Sequence, residues 1–187
     1  MNLPRFRLSL PGLALLLLLP ATYAAAKEEV ILEFKNVRRD PDGTVYKCYE
    51  YTFGDWENKV NHLRGRGTLI QAPGGKGGMG ENKTMIRFDQ TPLVDLIVVI
   101  GNANNTQTLN FGLTDKDGTE QTWQISLAGL PKGVEQRIRL DMTKPSSEQK
   151  PGTKPGMDLK KLSVWQLRGD YTDPNVEVLL VKLVGQK

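Results

Sequence analysis

Hydrophobic and polar residues alternate with a period of two along most of this chain, a pattern that predicts β-strands rather than helices. The clearest case is a pair of alternating runs, residues 108–114 and 121–127, joined by the turn sequence Asp-Lys-Asp-Gly at 115–118. That turn favours a β-hairpin. The side chains predicted to face the core from this hairpin are Leu109, Phe111, Leu113, Trp123, Ile125 and Leu127.

The same alternation predicts strands elsewhere along the chain. They lie at residues 30–34, 44–53, 67–72, 84–89, 162–167 and 176–183, and around Ile138 and Leu140. Residues 94–100 are apolar almost throughout, as expected of a central strand that is covered on both faces. About nine short strands separated by turn signals predict an all-β fold, a two-sheet sandwich or jelly roll.

The connections between these strands are rich in turn-forming residues. Residues 40–43 (Asp-Pro-Asp-Gly) predict a turn, residues 54–66 a loop, and residues 143–156, with three prolines, an exposed connection. Residues 73–80 contain five glycines. Glycine loses the most entropy on ordering, so this stretch is predicted to be a long loop or mobile flap.

The N-terminal residues 1–26 have the organisation of an export signal. Arg5 and Arg7 precede an apolar run at 13–19, and three alanines at 24–26 supply the small residues of a cleavage site. The apolar run is shorter than the roughly 20 residues that span a bilayer. We therefore predict a secreted or periplasmic protein without a membrane span, in which residues 27–187 form a single domain.

Charge and cysteine content narrow the function classes. The chain has 25 basic and 21 acidic residues, a net charge of +4 that falls to +2 without Arg5 and Arg7. This near balance, without a dense basic stripe, argues against nucleic-acid binding. Cys48 is the only cysteine, so no intramolecular disulfide forms, and it is interpreted as an apolar strand residue. An exported protein without disulfides is more typical of bacteria than of animals.

The residues that carry catalytic chemistry are scarce. His62 is the only histidine and lies in a predicted loop, so neither a nucleophile triad nor a zinc site is indicated. The glycine run lacks the phosphate-loop pattern. The hairpin turn starts like a calcium loop, but Ser126 stands where that loop needs Glu. No catalytic residue, metal site or cofactor is predicted, and the chain is predicted not to be an enzyme.

Four features of the second half form a recognisable order. They are the apolar strand 93–100, the hairpin 109–118 leading to Trp123, the strand 159–165 ending in Trp165, and the closing apolar strand 176–184. This order resembles the galactose-binding-like jelly-roll superfamily, which includes many bacterial carbohydrate-binding modules. Leu32, Phe34 and the region 65–80 are compatible with the opening strands of that family, so the likeness covers most of residues 27–187.

The resemblance implies a jelly roll with a sugar site on one sheet face or at the loop rim. It also implies a structural calcium near the first and last strands, but residues 178–183 lack the Asp usual in the closing strand. A sugar site needs exposed aromatic rings beside convergent hydrogen-bonding groups. The candidate rings are Tyr49, Tyr51, Trp56, Trp165 and Tyr171, and the candidate polar groups are Asn110, Gln124 and Arg139.

Each candidate has a structural alternative: core packing for Trp165, and solvated sheet surface for the three polar residues. The first functional hypothesis is an exported, non-catalytic module that binds a polysaccharide or oligosaccharide. The alternative is a structural or protein-interaction domain on the same scaffold, with another protein as its partner. An enzyme ranks last, because the chain offers so few acid–base groups.

Overall fold

Every regular element is a β-strand in the part of the chain that the structure, a computed structural model, describes: residues 28–35, 38–39, 45–46 and 48–186. The first seven strands are β1 (Glu28–Glu33), β2 (Arg38–Arg39), β3 (Val45–Tyr46), β4 (Tyr51–Gly54), β5 (Val60–Leu63), β6 (Gly67–Ala72) and β7 (Gly77–Asn82). The others are β8 (Leu93–Ile100), β9 (Thr108–Asp115), β10 (Glu120–Ser126), β11 (Glu135–Asp141), β12 (Ser147–Lys150), β13 (Leu162–Arg168) and β14 (Val176–Gln186).

Twelve of these strands form two antiparallel sheets of six, which pack as a β-sandwich and confirm the predicted all-β, two-sheet class. Sheet I has the order β11-β8-β14-β6-β5, and β1 pairs with the second half of β14. Sheet II has the order β12-β10-β9-β13-β7-β4, and β2 and β3 form a separate pair. The β1–β14 pairing holds the first and last described strands together at one place in sheet I.

Aromatic rings fill much of the space between the sheets. Trp165 stacks on Phe111 with 6.4 Å between ring centroids, and Phe34 meets Trp165 edge-on at 6.1 Å. Trp123 is buried as predicted, and its indole N–H donates to the Asp141 carbonyl at 2.8 Å. These offset and edge-on arrangements are the ones that aromatic quadrupoles favour.

The strands with the cleanest alternation are found where the pattern predicts them. The hairpin is β9–β10 in uninterrupted register, from Glu120 opposite Thr114 to Ser126 opposite Thr108. The apolar run is β8, which lies between β11 and β14. Where one face of a hairpin is apolar and the other is polar, burial leaves only one register available.

The prediction of a glycine loop at 73–80 is wrong, because Gly77–Asn82 forms β7, a strand inside sheet II. The backbones around it leave no room for side chains. A Cβ atom at Gly78 would lie 2.6 Å from the Leu167 carbonyl oxygen, and one at Gly80 would lie 2.5 Å from that of Trp165. Strand pairing on both edges therefore outweighs the entropy that these glycines lose.

Several other strand and loop boundaries differ from those predicted from the sequence. The predicted loops 54–66 and 143–156 contain β5 and β12, while the predicted strand 44–53 is divided into β3 and β4. Residues 84–89 alternate as predicted, with Phe88 buried and Met85 exposed, but they form no strand. Only isolated bonds, such as that from the Phe88 amide to the Leu159 carbonyl, hold this segment. The predicted turn 40–43 and the signal 1–26 lie outside the described residues.

Candidate functional site

Sheet II has one face against the core and one that reaches solvent. Strand alternation places Leu109, Phe111 and Leu113 of β9 inward, so Asn110 and Gly112 point outward. Pairing across the sheet then aligns two rows of outward positions. The first row is Tyr51, Gly80, Gln166, Gly112 and Thr122, and the second is Phe53, Gly78, Arg168, Asn110 and Gln124. These ten residues are called the open face below.

Two aromatic rings lie at the β4 end of the open face. Tyr51 stands opposite Gly80, and Phe53 stands opposite Gly78, with 6.4 Å between the two ring centroids. A Cβ atom at Gly80 would lie 2.8 Å from the Tyr51 Oη, and one at Gly78 would lie 2.7 Å from the Phe53 ring. The glycines of β7 therefore let both half-buried rings lie directly against the sheet.

Tyr51 is held in place by a neighbouring amide. The Gln166 Nε2 donates to the Tyr51 Oη at 2.8 Å, across the intervening Gly80. This bond leaves the Tyr51 hydroxyl proton and the Gln166 carbonyl oxygen for other partners. An aromatic ring with a fixed polar tip, beside an amide, is suited to a ligand that presents both C–H faces and hydroxyl groups.

Arg168 crosses the middle of the open face. Its Nη2 donates to the Thr122 Oγ1 at 2.9 Å and to the Gln149 Oε1 of β12 at 3.3 Å. A Cβ atom at Gly112 would lie 3.2 Å from that Nη2, so the guanidinium rests on a strand position that only glycine leaves open. The Arg168 Nε is buried without a hydrogen-bond partner.

Two of the predicted polar residues meet beside this guanidinium. Asn110 pairs with Gln124 on one side and with Arg168 on the other. The Asn110 Nδ2 donates to the Gly169 carbonyl at 3.1 Å, while the Gln124 side chain is exposed. The structure therefore brings Tyr51, Asn110 and Gln124 to one face, as a shared site requires.

Three of the candidate rings lie in the interior instead. Trp56 and Trp165 are both 0% exposed, and their indole N–H groups donate to the Gly74 carbonyl and to the Glu81 carboxylate. Tyr49 is also buried, and its hydroxyl donates to the Val60 carbonyl at 3.1 Å. A ring buried in this way has no face left for a ligand from solution, and for Trp165 the core-packing alternative describes its position.

Tyr171 lies in the loop that follows β13 and is 55% exposed. Its φ of 62° is in the left-handed region, which is uncommon for residues other than glycine. The Tyr171 amide donates to the Gly75 carbonyl, and next to it the Asp170 carboxylate accepts from the Thr172 hydroxyl and amide and from Thr106. Burial raises the pKa of Asp170, but these hydrogen bonds outweigh it and leave the pKa below its usual value. Strained backbone that presents an aromatic ring is a feature of binding loops.

Arg139 belongs to the other sheet and does not converge with Asn110 and Gln124. It lies on β11 and forms a two-pronged bond to the buried Asp95 carboxylate of β8, at 2.8 and 3.1 Å. Arg137 and Gln186 donate to the same carboxylate at 3.0 and 2.7 Å. The bonds from Arg139 and Arg137 lower the pKa of Asp95, although burial raises it. This cluster ties β8, β11 and β14 together and is a structural feature of sheet I.

Phe53, Gln166, Arg168 and Thr122 were missed at the sequence level. Alternation places Thr122 and Gln166 outward in their strands, but it leaves open which face of residues 44–53 is buried and does not show which strands lie side by side. Gly112 within the otherwise regular β9 was the available signal, because an isolated glycine in a strand indicates close approach by another group.

Acidic side chains also gather at a hollow away from the open face. A hollow of about 320 Å³ is lined by Asp115, Asp117, Asp158 and nearby lysines. Asp115 accepts backbone N–H bonds from Asp117, Thr119 and Asp158, so its oxygens already bind the loop. Residues 28–35, 38–39, 45–46 and 48–186 contain no group of three His, Cys, Asp or Glu side chains placed to hold a metal ion.

His62 lies on β5 of sheet I, not in the predicted loop, and both of its ring nitrogens are buried without a partner. It is remote in the sheet order from the open face of sheet II. Within the same described part of the chain, no helix is long and apolar enough to cross a membrane.

The chain is similar in fold to known carbohydrate-binding modules. It aligns with the family 11 carbohydrate-binding module of the cellulosomal cellulase Lic26A-Cel5E of Clostridium thermocellum, with a TM-score of 0.54 and 11% identity over 88% of this chain and 97% of that one. A family 11 module from the same organism, in complex with a β-1,3-1,4-mixed-linked tetrasaccharide, gives a TM-score of 0.55 and 10% identity over 87% and 96%.

An agarase, AgWH50C, gives a TM-score of 0.55 and 11% identity over 86% of this chain, which corresponds to 25% of the agarase. No protein-family model and no curated protein matches the sequence. At these identities the comparisons establish the fold alone, and this fold agrees with the jelly-roll architecture that the sequence resemblance implies.

Proposed function

We propose that this protein is an exported, non-catalytic carbohydrate-binding module that recognises a polysaccharide or oligosaccharide on the open face of sheet II. The observation that carries the proposal is the placement of the Tyr51 and Phe53 rings beside Gln166, Arg168, Asn110 and Gln124 on one solvent-reaching surface. The fold shared with carbohydrate-binding modules supports it.

The chemistry of this face matches what a sugar presents. Pyranose rings have apolar C–H faces that pack on aromatic rings, and hydroxyl groups that exchange hydrogen bonds with amides and guanidinium groups. The two rows extend across five strands, and adjacent strands lie about 4.8 Å apart. The open face therefore spans roughly 20 Å, enough for several sugar units of an extended chain.

Tyr171, at the exposed loop beyond β13, is proposed as an additional ring at the margin of this surface. Trp56, Trp165 and Tyr49 are not retained, because their rings are buried. Export is proposed on the organisation of residues 1–26, and residues 27–187 are proposed as the single binding domain.

The test is a binding survey with purified residues 27–187 against a glycan array and soluble polysaccharides in affinity gels. Tyr51→Ala and Gln166→Ala should each weaken binding about tenfold or more, since each removes a ring or an amide from the site. Met85→Ala is the matched control, because it removes a side chain that is 81% exposed outside the open face.

The proposal is refuted if the protein binds no polysaccharide in the survey. A stable protein partner captured through the open face, and lost with Tyr51→Ala, would then favour the protein-interaction alternative. Hydrolysis of a bound polysaccharide, measured as the release of reducing ends, would contradict only the proposal that the module is non-catalytic.

A further inference from the structure

Among the described residues, no nearby carboxylate balances the charge at the centre of the open face. Arg168 has no Asp or Glu oxygen within ion-pair distance among the described residues, and its two hydrogen-bond acceptors, Thr122 and Gln149, are neutral. By contrast, the arginines of sheet I are paired: Arg137 with Glu28 and Asp95, and Arg139 with Asp95.

Three carboxylates on or beside sheet II have other contacts or lie opposite a lysine. At the β4 edge, Glu50 accepts the Asn82 amide at 2.9 Å. Beyond β13, Asp170 accepts from Thr106. On β10, Glu120 stands directly opposite Lys150 of β12, so these two charges have opposite signs at the same position in the register.

The guanidinium still has capacity for a charged acceptor. Nη2 carries both of its hydrogen bonds and Nε is buried, whereas Nη1 makes no bond to a described residue and is not among the buried unpartnered atoms. Nη1 is therefore the position where a ligand oxygen can bind. Hydrogen bonds between a guanidinium and an anionic oxygen are roughly twice as strong as neutral ones. At a half-buried site, solvent screens such a pair less than it does on an open surface.

The following inference rests on the proposed function. We propose that the open face binds acidic polysaccharides in preference to neutral ones, with a sugar carboxylate or sulfate paired with the Arg168 guanidinium. The aromatic rings at the β4 end supply stacking common to all sugars. Arg168, about two strands away from them, supplies the charge selectivity.

The experiment compares residues 27–187 against two acidic and two neutral polymers: polygalacturonate, κ-carrageenan, mixed-linked β-1,3-1,4-glucan and agarose. Affinity is measured by gel retardation and calorimetry at about 20 mM and about 300 mM salt, since screening lengths shorten over that range. We expect at least one acidic polymer to bind roughly tenfold more tightly than both neutral ones at low salt, and to lose that advantage at high salt. The uronate and sulfate arms identify which anion is recognised.

Arg168→Gln should remove the preference for acidic polymers, and Arg168→Lys should retain part of it, because the charge stays but the planar fork is lost. Lys160→Gln is the matched control, since it removes the same charge from an exposed turn before β13. Circular dichroism of each variant checks the fold, and the salt comparison on the unmodified protein decides the question if Arg168→Gln does not fold.

Equal affinity for acidic and neutral polymers would overturn the charge preference and leave the proposed function standing. An equal loss of acidic binding in Lys160→Gln and Arg168→Gln would also overturn it, because net charge alone would then explain the effect. If the protein binds none of the four polymers and no glycan in the wider survey, carbohydrate binding itself is refuted.

Discussion

Replacing Asp95 by Asn tests the account of sheet I most directly. The Asp95 side chain is 1% exposed and receives four hydrogen bonds, two from Arg139 and one each from Arg137 and Gln186. Asn keeps the shape but removes the charge and turns one acceptor oxygen into a donor that faces a guanidinium.

The expected cost follows from those contacts. Breaking a fully buried ion pair costs about 3–5 kcal/mol, but here the arginines are about half exposed and regain water, so we expect Asp95→Asn to cost about 2 kcal/mol. For a domain of this size that lowers the Tm by roughly 4–8 °C.

The pH dependence gives a second, independent check. Arg139 and Arg137 hold the pKa of Asp95 below its unfolded value, so its stabilising contribution is fully present above about pH 4 and is lost as pH falls through the folded pKa. The difference between the unmodified protein and Asp95→Asn should therefore shrink below about pH 4.

The assay is chemical and thermal denaturation followed by circular dichroism, at neutral pH and in steps toward acid. Asp173→Asn is the control, because Asp173 pairs with Lys76 on the surface with an 88% exposed side chain, and its loss should change the Tm little. If Asp95→Asn unfolds at the same temperature as Asp173→Asn, or if the difference persists undiminished in acid, the reasoning is wrong.

Three further outcomes are expected. Trp165→Ala should lower the free energy of unfolding by about 3–5 kcal/mol, measured by denaturant titration, since it empties a fully buried site against Phe34 and Phe111; a small loss would contradict its core role. Gly112→Val should displace the Arg168 guanidinium and weaken polysaccharide binding in affinity gels, with a smaller effect on Tm than Trp165→Ala; unchanged affinity would mean that the guanidinium position is irrelevant. Protein exported from a bacterial host should begin at Lys27 by intact mass, and an uncleaved N-terminus would refute the proposed signal.

Much of the fold could be predicted because the local alternation of apolar and polar residues indicates which side chains are buried. In β9 and β10, alternation and turn residues agree, so the hairpin and its inward residues were predictable one strand at a time. Segments without strong apolar alternation were misassigned. Half of β7 is glycine, and β12 is entirely polar, so only pairing with neighbours makes either a strand.

The site was predictable in kind but only partly in position. Asn110 and Gln124 share a face because they belong to one hairpin, and the hairpin fixes their register. The alternation predicts Arg139 as an equivalent outward residue, but β11 belongs to sheet I. Trp56 and Trp165 have the ring chemistry of a sugar site, but burial depends on what packs over a ring, which no single segment specifies.

The sequence by itself determined that these residues form antiparallel strands, and which side chains of each clear strand face inward, since both follow from the period of two and from the burial of apolar groups. Only the tertiary structure decided which strands are neighbours. Side chains at 51, 166 and 168 meet across β4 and β13 because β7 pairs with both, and hydrogen bonds between segments so far apart in the chain leave no local pattern.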